Sequence, residues 1–214
     1  MPLYFHKKLA NQAELGIWKI DETEVFFQEQ LELAPEEAAQ LARIKGARRT
    51  QWLAARYLVH QMSGRSKRGI FIKDEFGKPH LEHSPYQISI SHSGEFAAAI
   101  AAPFSIGIDI QRIVERIDRI AHKFMRPIEA ASLEQASRIP HLHVYWGAKE
   151  ALYKAYGRRK LDFCRHLLIT PFPFKEAKGQ FQGKVAKGDY DVLFDLYYEI
   201  IENQVLVYAL ESGY

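Results

Sequence analysis

The spacing of hydrophobic positions changes early in the chain and predicts a strand followed by helices. The segment from Gly16 to Phe27 mixes β-branched and aromatic residues, as an early strand with its flanks does. Pro35 precedes two glutamates, a pattern typical of a helix start because the helix dipole favours anions in the first turn. Apolar residues then recur at helical spacing toward Ser63, and Gly46 predicts a bend or a break between two helices.

Short strand-like segments follow the helical region. Residues 69–72 predict a short strand, and residues 76–79 predict a tight turn. The alternation of polar and apolar positions from Gln87 to Ser91 is typical of a half-buried strand. Two apolar segments, Phe96 to Ala102 and Ser105 to Ile110, are predicted to pair with each other around the proline between them.

The remainder of the chain predicts two helices and then further strands. One helix should run from Pro127 to about Ser137, and a second should follow Pro140 and end near Gly157. Alternating segments predict strands at Tyr190 to Leu196, Tyr197 to Ile201 and Val205 to Leu210. Gly179 and Gly183 are expected in loops.

The order of these elements is strand, helices and strands, and the same order then occurs again. We therefore predict an α+β protein with an N-terminal lobe at residues 1–103 and a C-terminal lobe at residues 104–214. The two lobes are expected to form one compact unit. No sequence repeat is visible, so the residues alone give no evidence of internal symmetry.

Composition and charge narrow the class of protein. The 214 residues are 47% hydrophobic, which is enough for a full hydrophobic core. The formal net charge of +3 does not indicate a general nucleic-acid binder and fits a local basic pocket for an anionic ligand equally well. The single cysteine, Cys164, excludes an internal disulfide and cysteine-rich zinc sites.

The chain lacks the sequence signals of a membrane or secreted protein. Its start has no apolar core of the kind found in signal peptides. The most apolar run, Phe96 to Ile108, is broken at Pro103 and is too short to span a bilayer. We expect a cytoplasmic protein that does not associate with membranes.

A carboxylate in an apolar strand is the first candidate for chemistry. Asp109 and Gln111 point to one face of the strand Ile106 to Gln111, because strand side chains alternate. A buried carboxylate is costly unless it is paired or bound to a cation, and Mg²⁺ would accept oxygens from both side chains. The alternative is an aspartate that caps the next turn at the end of the strand.

The second candidate lies on a predicted helix. Trp146, Glu150 and Lys154 are four residues apart and therefore share one helix face. This face could carry a solvated ion pair between the glutamate and the lysine. The tryptophan on the same face instead favours a stripe that is half buried against another element.

The third candidate is the end of a strand at residues 88–94. Its serines and His92, next to Gly94, could donate several hydrogen bonds to a phosphate. A serine nucleophile is disfavoured because no G-x-S-x-G elbow surrounds it, while a purely structural histidine remains an alternative. The sequence contains no Walker A loop, G-x-G-x-x-G or H-E-x-x-H signature.

Together these segments resemble the Sfp-type family of 4′-phosphopantetheinyl transferases. The match rests on their order along the chain more than on any one of them. The matching stretches are Gly77-Lys78-Pro79, Ile90-Ser91-His92-Ser93-Gly94, Gly107-Ile108-Asp109-Ile110, Phe124 to Glu129, and Trp146-x-x-Lys149-Glu150-Ala151-x-x-Lys154. The Arg48-Arg49-Thr50 segment upstream also fits.

The resemblance implies a fold, a reaction and a set of catalytic residues. The fold would be two similar α/β lobes related by a pseudo-twofold axis, with coenzyme A in the cleft between them. The reaction would move phosphopantetheine from coenzyme A to a serine of an apo acyl or peptidyl carrier protein and release 3′,5′-ADP. Asp109 and Glu150 would hold Mg²⁺, or Mn²⁺, and Glu150 would take the serine proton. Lys154 would neutralise the pyrophosphate, and Glu129 matches an acidic position near the metal.

The resemblance also implies residues that bind coenzyme A. Ser91 and His92 would contact its phosphates, Lys78 would reach the nucleotide end, and Arg49 would contact the 3′-phosphate of the nucleotide. The glutamates that follow Pro35 depart from the basic residues that grip coenzyme A in some relatives. That half of the pocket therefore rests on fewer matching residues.

One departure concerns the metal. Members of this family usually carry an acidic residue two positions after the strand aspartate, where this chain has Gln111. An amide oxygen can ligate Mg²⁺ or hold a bound water, but it supplies no charge. We expect weaker metal affinity than in a relative with three carboxylates.

Two other functions compete with the transferase. The first is a non-catalytic relative that binds coenzyme A or a carrier protein, for which Gln111 is the only support. The second is a nucleic-acid-binding helix that carries Arg43, Arg48, Arg49 and Arg56, and the small net charge argues against it. A monomer that binds no nucleic acid is expected.

Overall fold

A computed structural model describes residues 3–214 of the chain. The chain divides into two compact units, Met1–Pro103 and Phe104–Tyr214. Met1 and Pro2, which the predicted N-terminal lobe includes, lie outside the described residues. Each unit combines one antiparallel sheet with helices, so the predicted mixture of α and β structure is confirmed.

The first unit contains a sheet of six strands in the order β1-β2-β6-β5-β4-β3. The strands are β1 (Leu3–Lys8), β2 (Glu14–Lys19), β3 (Phe71–Lys73), β4 (Pro79–Leu81), β5 (Gln87–Ser93) and β6 (Phe96–Ala102). The helices are α1 (Glu24–Leu31), α2 (Pro35–Ala42) and α3 (Arg48–Ser63). Buried leucines of α3 pack over the alanines of β6, whose small side chains let the helix come close to the sheet.

A helix prediction and a strand prediction can be compared with the structure of this unit. Helix α2 begins at Pro35 as predicted, and Gly46, with a φ of 62°, separates it from α3. The early strand predicted with its flanks between Gly16 and Phe27 is found as β2, which ends at Lys19, and the C-terminal flank enters helix α1. The Thr23 hydroxyl caps that helix by accepting a hydrogen bond from the backbone N–H of Phe26 at 3.3 Å.

The second unit contains five strands in the order β7-β11-β10-β9-β8. The strands are β7 (Ile106–Arg112), β8 (Leu167–Ile169), β9 (Lys178–Lys187), β10 (Tyr190–Ile201) and β11 (Gln204–Glu211). The helices are α4 (Ile117–Ile120), α5 (Pro127–Ala130) and the long α6 (Arg138–Tyr156). Among residues 3–214, no helix is long and apolar enough to cross a membrane.

Helix α6 lies very close to β7 and β11. A Cβ atom on Gly107 would lie 1.9 Å from the carbonyl oxygen of Ala151, so only glycine permits this approach. A Cβ atom on Gly147 of the helix would likewise lie 2.7 Å from the side chain of Val207. These two contacts place one face of α6 directly over the middle of β7.

The predicted pairing of the two apolar segments around Pro103 is wrong. Strand β6 pairs with β2 and β5, whereas β7 pairs with β11. The proline is the last residue of the first unit and does not form a hairpin turn. Both segments are strands, but β6 pairs with the preceding β5 and with the more distant β2, and the partner of β7 lies far downstream.

Several other boundaries in the second unit differ from expectation. The helix predicted from Pro127 to Ser137 lasts only four residues, and α6 begins before Pro140. A proline in the first helical turn loses no hydrogen bond, because the N–H groups there have no partner within the helix. Gly179 and Gly183 were expected in loops but lie within β9. Their missing side chains make room there for neighbours such as Tyr198.

Candidate functional site

Asp109 lies in the middle of β7 and is only 8% exposed. Lys154 approaches it from the last turn of α6 and donates hydrogen bonds from Nζ to Asp109 Oδ1 and to the carbonyl oxygen of Ile108, both at 2.8 Å. The close approach of helix and strand at Gly107 makes this contact possible. The structure therefore brings together two of the predicted catalytic residues.

Glu150 lies one helical turn before Lys154 and is half buried. Its carboxylate makes no hydrogen bond to any residue in the described range 3–214. Burial raises the pKa of Glu150 above its ordinary value, and the negative charge of Asp109 raises it further, while Lys154 acts in the opposite direction. Glu150 is thus a carboxylate without a donor, held near a second carboxylate.

This pair of carboxylates fits a hard divalent cation. A cation between Asp109 and Glu150 would remove their mutual repulsion and supply the partner that Glu150 lacks. No group of three or more histidine, cysteine, aspartate or glutamate side chains that could hold a metal occurs in the part of the chain described.

Gln111 lies two residues along β7 from Asp109, but its amide oxygen is engaged elsewhere. The amide nitrogen donates to Asp109 Oδ2 and to the carbonyl oxygen of His143, both at 3.2 Å. The amide oxygen lies 3.0 Å from Nδ1 of His143. This arrangement favours Gln111 as a hydrogen-bond donor over the predicted metal ligand.

Glu129, the other predicted acidic residue, lies in a separate buried cluster. It is fully buried, and its Oε2 lies 2.7 Å from the Nζ of Lys149. Backbone N–H groups of Arg126 and Ile169 also donate to its two oxygens. Because both oxygens are satisfied by these donors, the structure favours a structural role for Glu129 over a place near a metal.

The motif that contains Trp146 is half buried, as its helical spacing predicts. The indole ring packs edge-on against Phe124 and lies beside Phe163, with ring centres 5.1 and 5.4 Å away. Lys149, on another face of the helix, points into the core and reaches the carbonyl oxygens of the same two phenylalanines. Trp146 and Lys149 of the motif therefore pack the helix against its surroundings, while Glu150 and Lys154 lie near Asp109.

In the first unit, His92 lines an open cavity of about 930 Å³. Ser93, Gln51 and Trp52 also line it. Three basic residues line it too, namely Arg43, Lys45 and Arg48. They come from the end of α2, the following loop and the start of α3. Ser91 is buried on β5 beside this region. The cavity has the charge expected of a phosphate-binding site.

Arg49, the arginine that the resemblance implicated, is engaged elsewhere. Its guanidinium pairs with both carboxylate oxygens of Glu24 on α1 and donates to the carbonyl oxygens of Leu41 and Ile44. These contacts tie three helical segments together and favour a structural role. The sequence offered no signal to separate it from Arg48, since both begin the same helix.

Lys78 occupies the predicted turn between β3 and β4. Its backbone N–H donates to the carboxylate of Asp74, and its ammonium donates to the side chain of Gln87 at 3.0 Å. It does not line the cavity that contains His92. A contact with the nucleotide end of coenzyme A therefore stays a prediction.

The comparisons with known proteins agree with the sequence resemblance. Residues 105–195, less than half of the chain, match the model of the 4′-phosphopantetheinyl transferase superfamily. This match contains β7 and α6 and hence Asp109, Glu150 and Lys154. The resemblance to this superfamily is confirmed over that range.

Two curated relatives show the same similarity. The 4′-phosphopantetheinyl transferase gsp of Aneurinibacillus migulanus is 31% identical over 109 residues, which cover 50% of this chain and 46% of that protein. The 4′-phosphopantetheinyl transferase of Bacillus subtilis is 30% identical over 88 residues, which cover 39% of each chain. The matched part thus spans less than half the length of each relative.

Proposed function

We propose that this protein, which resembles the 4′-phosphopantetheinyl transferase superfamily over residues 105–195, transfers 4′-phosphopantetheine from coenzyme A to a serine of an apo carrier protein. The observation that carries this proposal is the meeting of Asp109, Glu150 and Lys154 where α6 crosses β7. Two carboxylates and an ammonium are the groups that a pyrophosphate and a divalent cation require. The released product would be 3′,5′-ADP.

Glu150 is suited to act as the general base. The serine oxygen would form a bond to the β-phosphorus of coenzyme A, and the bond from that phosphorus to the oxygen it shares with the α-phosphate would break. Glu150 would accept the serine proton, directly or through a water, since its carboxylate has no hydrogen-bond donor in the described chain. Lys154 would stabilise the negative charge that remains on the departing phosphate.

Asp109 and Glu150 would together hold Mg²⁺ or Mn²⁺. When bound, such an ion would supply positive charge to the pyrophosphate oxygens. Lys154 holds Asp109 Oδ1 at 2.8 Å, which fixes the carboxylate on the face of β7 that α6 covers. The site is thus oriented by the protein's own hydrogen bonds.

The basic cavity of the first unit is proposed to bind phosphates of coenzyme A. Arg43, Lys45 and Arg48 give it three positive charges, and His92 adds a ring that can donate a hydrogen bond. This assignment replaces Arg49 with neighbouring basic residues. Ser91 and Lys78 are further candidate contacts of coenzyme A.

The proposed partner is an apo acyl or peptidyl carrier protein. Such carriers are acidic in general, and basic side chains beside an apolar surface would suit one. We propose that the protein acts as a monomer in the cytoplasm. The pathway that the carrier serves is a separate question, which a panel of carriers would answer.

The decisive experiment is a labelling assay on several apo carrier proteins. Purified protein with coenzyme A and Mg²⁺ is expected to increase the intact mass of at least one carrier by one phosphopantetheine group. Glu150→Gln is expected to abolish this increase. If no carrier gains mass with either Mg²⁺ or Mn²⁺ while coenzyme A still binds, the protein is instead a non-catalytic relative.

A further inference from the structure

A series of hydrogen bonds runs from the backbone of Val114, just after β7, through His143 and Gln111 to the carboxylate of Asp109. His143 lies on α6 and is only 2% exposed. The backbone N–H of Val114 donates to its Nε2 at 3.0 Å. On the other side of the ring, Nδ1 lies 3.0 Å from Oε1 of Gln111. The amide nitrogen of Gln111 in turn donates to Asp109 Oδ2 at 3.2 Å.

The neighbouring groups determine which partner donates in each of these hydrogen bonds. Asp109 Oδ2 and the carbonyl oxygen of His143 both accept hydrogen bonds, so the group of Gln111 that lies between them must be the amide nitrogen. The amide oxygen then faces Nδ1, which must carry a proton to donate to it. An unprotonated Nε2 accepts the N–H of Val114 at 3.0 Å, although the carbonyl oxygen of the same residue also lies 3.1 Å from Nε2. The neutral tautomer with its proton on Nδ1 thus satisfies Gln111 and the N–H of Val114, and leaves only that carbonyl without a proton from the ring.

We propose that His143 is a positioning residue that locks Gln111 as a hydrogen-bond donor to Asp109. Gln111 is then not a metal ligand, and its task is to hold one oxygen of the carboxylate while Lys154 holds the other. The consequence for metal binding rests on the function proposed above. The lock itself rests only on the geometry of these side chains.

The shape of α6 supports this role. Gly147 lies one turn after His143, and a Cβ atom there would lie 3.2 Å from Nε2 of Gln111. The glycine therefore leaves a notch in the helix into which the amide fits. A carboxylate held in one orientation by such outer contacts binds a metal ion without first having to be ordered.

The tautomer of His143 gives a direct test. Nitrogen-15 NMR correlation of the imidazole ring is expected to show a proton on Nδ1 and none on Nε2 in the wild type at neutral pH. In Gln111→Leu the acceptor for Nδ1 is lost, and we expect the proton to move to Nε2, which lies 3.1 Å from the carbonyl oxygen of Val114. A wild-type ring protonated on Nε2 would overturn the proposal.

The same spectra with Mg²⁺ separate a donor from a ligand. If Gln111 turned its oxygen to the ion, its nitrogen would face Nδ1 and the ring proton would move to Nε2. We expect no such change when Mg²⁺ is added. A change of tautomer on addition of Mg²⁺ would make Gln111 a metal ligand and would contradict the proposal.

A double-mutant cycle on Mn²⁺ affinity tests the positioning role. Gln111→Leu and His143→Leu are each expected to raise the Kd for Mn²⁺ by roughly tenfold, as removal of an outer contact typically does. The double variant should bind no more weakly than either single variant, because one lock is lost in each case. If the two increases in Kd instead multiply in the double variant, His143 acts independently of Gln111 and serves only in packing.

His141 provides the matched control. It lies on the same helix and is equally buried, and neither ring nitrogen has a hydrogen-bond partner within residues 3–214. His141→Leu is therefore expected to leave the Mn²⁺ affinity unchanged. A protein with the Nδ1 tautomer that transfers no phosphopantetheine would reject the proposed activity and leave the lock standing. Failure of wild type to bind Mn²⁺ would reject the metal site and the positioning role with it.

Discussion

The ammonium of Lys154 lies 2.8 Å from Oδ1 of Asp109, which joins the last turn of α6 to the middle of β7. The lysine side chain is 27% exposed and that of the aspartate 11%, so the pair is partly shielded from water. A cation in this position can both orient the carboxylate and meet the phosphate of a substrate. The same ammonium thus links the structure of the site to its proposed chemistry.

Lys154→Met is expected to lower the rate constant of transfer by about a hundredfold or more, since a charge that stabilises the departing phosphate is lost. The measurement is kcat for phosphopantetheine transfer to the best carrier. Lys184→Met is the matched control, because Lys184 also forms a 2.8 Å ion pair, with Asp191, but on the exposed surface. Equal losses of activity in the two variants would contradict the role of Lys154.

Gly107→Ala is expected to destabilise the protein by about 2 kcal/mol or more, because the new methyl group would collide with the backbone of α6. Activity should fall as well, since the helix carries Glu150 and Lys154. The check is urea unfolding together with the transfer assay. Gly16→Ala is a useful comparison, because its methyl group would meet the flexible side chain of Met62 and should cost less.

Lys149→Met is expected to lower the free energy of unfolding by about 3–5 kcal/mol, because it leaves the buried carboxylate of Glu129 without its partner. Glu129→Gln should also destabilise the fold but should leave the Kd for Mn²⁺ unchanged. Thermal unfolding and Mn²⁺ titration measure the two effects. Loss of Mn²⁺ affinity in a folded Glu129→Gln protein would restore Glu129 to the metal site.

Arg48→Ala is expected to raise the Kd for coenzyme A by roughly tenfold, since a charged hydrogen-bond donor to a phosphate is removed. The effect should shrink at high salt. Arg49→Ala should instead lower the melting temperature, because its bonds to Glu24 and to two backbone carbonyls are lost. Calorimetric titration with coenzyme A decides between them, and a larger effect from Arg49 would overturn the assignment.

The stability of the fold should depend on pH through His141. This ring is fully buried among Tyr145, Phe172 and Phe174, and burial lowers its pKa from 6.5 to about 4. As the pH falls below 6.5, the unfolded chain binds a proton that the folded chain does not. The free energy of unfolding should therefore fall by about 3 kcal/mol between pH 6.5 and 4 from this group.

The variant His141→Leu should lose that part of the pH dependence. Urea unfolding at several pH values measures it. His83, whose side chain is 90% exposed, supplies the control variant His83→Asn, which should keep the wild-type slope. An unchanged slope in His141→Leu would show that the acid sensitivity comes from other groups.

The half of the candidate site that contains Asp109, Glu150 and Lys154 could be predicted because its pattern is local. Strand alternation places Asp109, and helical spacing places Glu150 and Lys154 on one face, so a few adjacent residues determine each orientation. His143 lies on the same helix, but its role depends on the side chain of Gln111 across the gap. No local pattern reports such a contact.

The choice between Arg48 and Arg49 could not be made from the sequence for a similar reason. The direction of Arg49 depends on Glu24, which lies on a helix that the strand-like composition of residues 16–27 did not reveal. The predicted pairing of β6 with β7 was also wrong because the true partner of β7 is distant in the sequence. Adjacent strands most often pair, but β7 is held by β11 from a distant part of the chain.

The pairing of β7 with β11 also affects how the protein is made. Asp109 lies opposite Val207 in the sheet, so β7 cannot find its place until the ribosome has synthesised a segment far downstream. The helix that carries Glu150 and Lys154 is complete before that segment appears. The candidate site is therefore assembled late. A nascent chain that stops before Gln204 would carry the side chains of the candidate site without the strand order that brings them together.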